Sequence, residues 1–111
     1  MPSCIPHKGD YVAVSFDSQS GHEQKGRRPA LVISNDLFNR HTGLAIVCPI
    51  TNTRRDYPFH VAITGSESVT GVVMVDQVKS IDFRARRVKK IGRAAPALLD
   101  EVLSLLDACI Y

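Results

Sequence analysis

The sequence predicts an α+β chain, mainly β: a small antiparallel barrel with short helices packed outside it and a helix at its C-terminal end. Three observations carry this. Five or six short apolar runs recur along the chain, each bounded by Gly, Pro or polar clusters. Only the stretch from Pro96 onward follows helical rather than alternating spacing. The 111 residues match the size of one domain, and no linker or repeat divides them, so 1–111 reads as a single unit.

Taken in order, Tyr11 to Phe16 alternates, with Val12, Val14 and Phe16 on one face, which predicts a half-buried strand. Asp17 to Arg27 contains no large apolar residue and reads as an exposed, mobile loop. Ala30 to Ile33 is short and apolar, a buried strand. Ser34, Asn35 and Asp36 offer N-cap chemistry for a short helix that Gly43 stops. Leu44 to Cys48 is a strand ended by Pro49, and Thr51 to Asp56 a polar loop. Phe59, Val61 and Ile63 alternate with polar or small residues up to Gly65. Gly71 to Val75 and Val88 to Ala94 are the fifth and sixth runs. Pro96 suits a first helical turn, and Leu99, Val102, Leu103, Leu106 and Ile110 follow at helical spacing.

Fourteen Lys and Arg against eleven Asp and Glu give a net charge of +3, compatible with a nucleic-acid partner but not diagnostic of one. Cys4, Cys48 and Cys109 are odd in number, scattered and without metal-ligand spacing, which favours a reducing cytoplasm over a secreted disulfide scaffold. The first ten residues lack the pattern of a signal peptide. Apolar runs fall far short of the roughly 20 residues a membrane span needs.

Three stretches could carry chemistry. In Gly21-His22-Glu23-Gln24-Lys25-Gly26-Arg27-Arg28-Pro29 a polar loop delivers Arg28 into the start of a buried strand, where a guanidinium needs a task or a partner. A solvated loop with Arg28 paired to Glu23 is the plainer alternative. Pro49-Ile50-Thr51-Asn52-Thr53-Arg54-Arg55 sets hydroxyls and guanidinium groups directly after an apolar strand, the parts that hold a phosphate and stabilise charge on it, although Ser and Thr are also routine turn residues. Lys79, Arg84, Arg86, Arg87, Lys89, Lys90 and Arg93 concentrate half of all basic residues, as a solvated face or a track for a phosphate backbone. His7, His22, His41 and His60 have no metal-ligand spacing; His22 reads as solvent-facing and nothing singles out His60.

Together these segments resemble the MazF/PemK family of toxin endoribonucleases from bacterial toxin–antitoxin pairs. The resemblance runs in order through Gly9-Asp10, Phe16-Asp17, the Gly21 to Pro29 loop, Ala30-Leu31-Val32-Ile33-Ser34, Phe38-Asn39, Thr42-Gly43-Leu44 and Cys48-Pro49-Ile50-Thr51. It continues through Gly71-Val72-Val73, Asp76-Gln77-Val78-Lys79-Ser80 and Lys90-Ile91-Gly92. Ser15, Ser18 and Asn52 depart from common family residues, which leaves the cleavage sequence open.

The resemblance implies an SH3-like barrel, a homodimer, and cofactor-free, metal-independent cleavage of single-stranded RNA, mRNA foremost, that arrests translation and growth. It implies catalytic roles for Arg28, Thr51 and Glu23, and RNA contacts by Gln24, Lys25, Arg27, Asn52, Arg54, Asp76, Gln77, Lys79 and Arg86. It also implies 2′,3′-cyclic phosphate and 5′-hydroxyl products, and a cytoplasmic life with an acidic MazE-like antitoxin. DNA is touched only through the antitoxin complex, and no membrane is involved. Two alternatives share the architecture: a CcdB-like gyrase poison and a non-catalytic binding barrel. Arg28 after the Glu-Gln pair and Thr51 after Pro49 fit the nuclease pattern. A peptide-binding barrel calls for an aromatic groove, and the chain is 6% aromatic with no Trp.

Overall fold

A computed structural model describes residues 5–15, 27–53 and 57–111. Among them run strands β1 (Asp10–Ser15) and β2 (Arg27–Val32), helix α1 (Asp36–Thr42), strands β3 (Leu44–Thr51), β4 (His60–Ala62) and β5 (Val72–Met74), a 3-10 turn (Val75–Gln77), strands β6 (Lys79–Asp82) and β7 (Lys89–Arg93), and helix α2 (Pro96–Ile110). The seven strands are joined in the order β4-β5-β3-β2-β1-β7, with β6 also on β3, and every pairing is antiparallel.

β3 organises the sheet. One edge carries β2; on the other, β6 pairs with Leu44 to Val47 and β5 with Ile50 and Thr51. A reversal bonded from Val88 N–H to the Phe83 carbonyl, 3.0 Å, brings β6 back towards β7. The strands β6-β3-β2-β1-β7 thus curl around Val12, Val14, Ala30, Val32, Ala45, Val47, Ile81 and Phe83. Alternate residues of the same strands, Tyr11, Leu31, Cys48 and Ile50, point the other way, where α2 covers them with Leu99, Val102, Leu103 and Leu106.

Several expectations need correction. The first strand is buried on both faces, not one, because Tyr11 (1% exposed) lies under α2 while Val12 and Val14 fill the barrel. β4 and β5 are three residues each, and Val75 belongs to the 3-10 turn. β6 is a strand that apolar runs do not announce: Lys79-Ser80-Ile81-Asp82 has one buried residue, and the open edge of β3 recruits it. Ile110 is 66% exposed and leaves the apolar face of α2. The expected caps are present: the Asn35 side chain accepts from Phe38 N–H at 2.9 Å, and Gly43 closes α1 in the left-handed region. Pro96 opens α2. None of the helices among the described residues is long and apolar enough to cross a membrane.

Candidate active site

The β2–β3 ladder pairs Ala30 with Pro49, Leu31 with Cys48 and Val32 with Val47. Carried two residues further, the same register sets Arg28 opposite Thr51. Residues directly opposite share a face, and here it is the face of Ala30, Val32 and Val47, the one that lines the barrel. Arg28 and Thr51 therefore stand at one open mouth of the barrel, Arg28 exposed and Thr51 half-buried. Arg28 is the second residue of β2, in the exposed pair that opens it rather than the first of a buried strand, so its guanidinium carries no burial cost.

The Thr51 hydroxyl oxygen accepts a hydrogen bond from Thr53 N–H at 3.1 Å, which fixes the side chain and leaves the hydroxyl proton to be donated. The loop is anchored by Thr70 Oγ1 donating to Asn52 Oδ1 at 3.0 Å. Gly71 makes this possible: its φ is +113°, and a Cβ there would overlap the Thr51 carbonyl oxygen.

Beside Thr51 opens a cleft of about 460 Å³ lined by Thr51, Thr53, Tyr57, His60, Met74, Asp76 and Gln77. The sequence reading found Thr51, Asp76 and Gln77 here; it missed Tyr57 and His60. The His60 side chain is 9% exposed, with Nε2 3.5 Å from Asp76 Oδ1, and Tyr57 meets its ring edge-on at 4.8 Å. Lys79 opposes Val47 on β3 and extends the same mouth, and the Arg86 carbonyl accepts from Ser15 N–H, placing Arg86 by the end of β1 where Ser15 pairs with Arg27. The structure thus brings Thr51, Asp76 and Gln77 together around one cleft, with Asn52 next to Thr51, Arg27 and Arg28 at the start of β2, Lys79 opposite Val47 and Arg86 by the end of β1. Glu23, Gln24, Lys25 and Arg54 lie outside the described residues, as does any Glu23–Arg28 pair.

The basic concentration divides. Lys90 Nζ and Arg93 Nη1 lie 3.6 and 2.8 Å from Oδ1 of Asp10, a carboxylate only 2% exposed that also accepts from His7 N–H at 2.9 Å. That part of the patch is structural, tying β1 to β7. Asp82 accepts from the Arg84 and Ala85 N–H groups and shapes its own turn. Burial, together with the Asp76 carboxylate, pushes the Cys48 thiol up to about 12, so it stays a thiol in the core. Among the described residues no three His, Cys, Asp or Glu side chains converge to hold a metal ion.

Comparison with known proteins agrees with this geometry. Residues 7–110 match the family model of PemK-like, MazF-like toxins of type II toxin–antitoxin systems. The endoribonuclease toxin MazF of Escherichia coli (strain K12) is 41% identical over 106 residues, covering 96% of this chain and 95% of that protein. The endoribonuclease toxin ChpB of the same strain is 45% identical over 108 residues, covering 93% and 92%. The crystal structure of MazF from Deinococcus radiodurans superposes with a TM-score of 0.85 at 40% identity, covering 97% of this chain and 98% of that one. A MazE–MazF crystal structure from the same organism gives 0.86 at 36% identity, with 97% of each chain covered. Matched over residues 7–110, the chain belongs to the PemK-like, MazF-like family of toxins of type II toxin–antitoxin systems.

Proposed function

We propose that this chain, a single domain over residues 1–111, is an endoribonuclease toxin that cuts single-stranded RNA in the cytoplasm and is restrained by a cognate antitoxin. What supports this reading is the β2–β3 ladder, whose register from Ala30–Pro49, continued two residues, points Arg28 towards Thr51, a residue that lines an open cleft. Relatives named endoribonuclease toxins, and a MazF crystallised with MazE, support the same reading.

RNA carries its own nucleophile, the 2′-hydroxyl, so the protein has only to orient it and manage charge and protons. Arg28 stabilises the extra negative charge of the phosphorane-like transition state, and the Thr51 hydroxyl proton adds a hydrogen bond. A guanidinium does not give up its proton in a protein, so Arg28 works as a fixed charge and not as a base. The 2′-hydroxyl gives its proton to water as its oxygen bonds to phosphorus, the bond from phosphorus to the 5′-oxygen breaks, and that oxygen takes a proton back from water, so the products are a 2′,3′-cyclic phosphate and a 5′-hydroxyl. Chemistry of this kind needs no cofactor or metal. The family resemblance adds a catalytic role for Glu23 and RNA contacts for Gln24, Lys25 and Arg54, all four outside the described residues. The antitoxin contributes an acidic segment that orders along the basic mouth and blocks RNA.

The test is one gel. Purified protein and its Arg28→Ala variant are incubated with a long RNA, with and without chelator. Discrete fragments from the parent protein under both conditions, and intact RNA from the variant, are expected. Intact RNA in every lane would return the barrel to a binding role.

A further inference from the structure

The chemistry above leaves one side chain of the cleft without a task. His60 is nearly buried, its Nε2 lies 3.5 Å from Asp76 Oδ1, and its Nδ1 is buried with no hydrogen-bond partner among the described residues. An apolar side chain would fill the same wall without stranding a polar nitrogen. The other ring nitrogen, Nε2, faces the Asp76 carboxylate.

Asp76 is equally out of place for a site that binds phosphates, since a carboxylate repels them. It is an acceptor only, so what it can take from RNA is a donor. Next to it Tyr57 is 45% exposed, its ring in T-shaped contact with His60 at 4.8 Å and with Phe59 at 6.0 Å, and an exposed aromatic ring is a surface on which an unstacked base can stack.

We propose that His60 is a positioning residue for base recognition: its Nε2 faces and orients Oδ1 of Asp76, so that the other carboxylate oxygen meets the exocyclic amino group of one RNA base stacked on Tyr57. Adenine, cytosine and guanine carry such a group. Uracil carries only one ring N–H between two carbonyl oxygens, which the carboxylate repels. This inference rests on the cleft's being part of the RNA site.

The experiment maps cleavage sites of the full chain on a mixed-sequence RNA pool, and measures kcat and KM on one cleaved oligonucleotide. The variants are His60→Phe, His60→Gln, Asp76→Asn and the His60→Phe/Asp76→Asn double, each checked by thermal melting. His60→Phe is expected to relax discrimination against uracil at one position by about tenfold, the effect of one read base edge, and to raise KM more than it lowers kcat. His60→Gln, whose amide N–H can still hold the carboxylate, is expected to restore most of the discrimination. In the Asp76→Asn background His60→Phe is expected to add nothing, since the two act as one unit. If the phenyl ring is not accommodated, His60→Asn, too short to reach Asp76, replaces it. Unchanged base preference in His60→Phe, or losses that multiply in the double variant, would overturn the inference alone. Unchanged preference and KM in Asp76→Asn would overturn it together with the assignment of the cleft to RNA.

Discussion

A threonine beside a reacting phosphate contributes only the hydrogen bond its own partners leave free. In Thr51 the oxygen accepts from Thr53 N–H, and among the described residues no acceptor takes the hydroxyl proton. Thr51→Ala is therefore expected to lower kcat by about 10²–10³, the loss of one oxyanion-type donor, with KM little changed. Arg28→Lys is expected to recover little of the activity that Arg28→Ala abolishes, because an ammonium does not reproduce the planar fork on a phosphate. Both residues were legible in the sequence as the ends of two ordered motifs. His60 was not: it sits in a three-residue strand on what looks like the polar side, and its partner Asp76 is sixteen residues away, joined only through the β4–β5 pairing. Cys48 makes a prediction of a different kind. Burial raises its pKa from 9.0 to about 12, so the unfolded chain loses this proton first, and stability present below pH 9 declines between pH 9 and 12. Tyr11, raised by burial as well, acts in the same direction. Urea unfolding across that range should show the decline, and Cys48→Ala should flatten it.

At the level of elements, the site is held by the contact of the β5 entrance with the end of β3. Gly71→Ala combines a left-handed φ with a Cβ against the Thr51 carbonyl, so it is expected to cost about 1–3 kcal/mol of stability and to displace Thr51. Activity should fall further than the melting curve explains, a comparison that one melt and one cleavage assay make. Asp10→Ala removes the acceptor for His7 N–H and Arg93. Lys90 and Arg93 are more than half exposed and return to water, so the cost is that of the lost charge-assisted bonds, about 1.5–3 kcal/mol by urea unfolding. Strands with their own apolar pattern, β1 to β3, the capped α1 and the α2 that Pro96 opens were legible because local chemistry and tertiary packing agree there. β6 was not, because what makes Lys79–Asp82 a strand is an unpaired edge of β3, a property of the fold and absent from the local sequence.

For the whole molecule the account is of a barrel that exposes its chemistry at one mouth and apolar side chains elsewhere. Leu37 (63% exposed), Ile91 (36%) and Ile110 (66%) are surface that a second copy would cover, and a two-fold dimer is the usual solution. Light scattering at micromolar concentration is expected to give the dimer mass. If RNA supplies its own nucleophile to a site built on Arg28 and Thr51, a substrate cleaved at one site and its copy carrying a single 2′-deoxynucleotide on the 5′ side of that phosphate behave differently. The deoxy copy is expected to bind with nearly unchanged affinity, since phosphates and bases provide most of it, and to stay intact. Efficient cutting of the deoxy RNA, leaving a 5′-phosphate on the product, would contradict the account and replace the 2′-hydroxyl with an activated water.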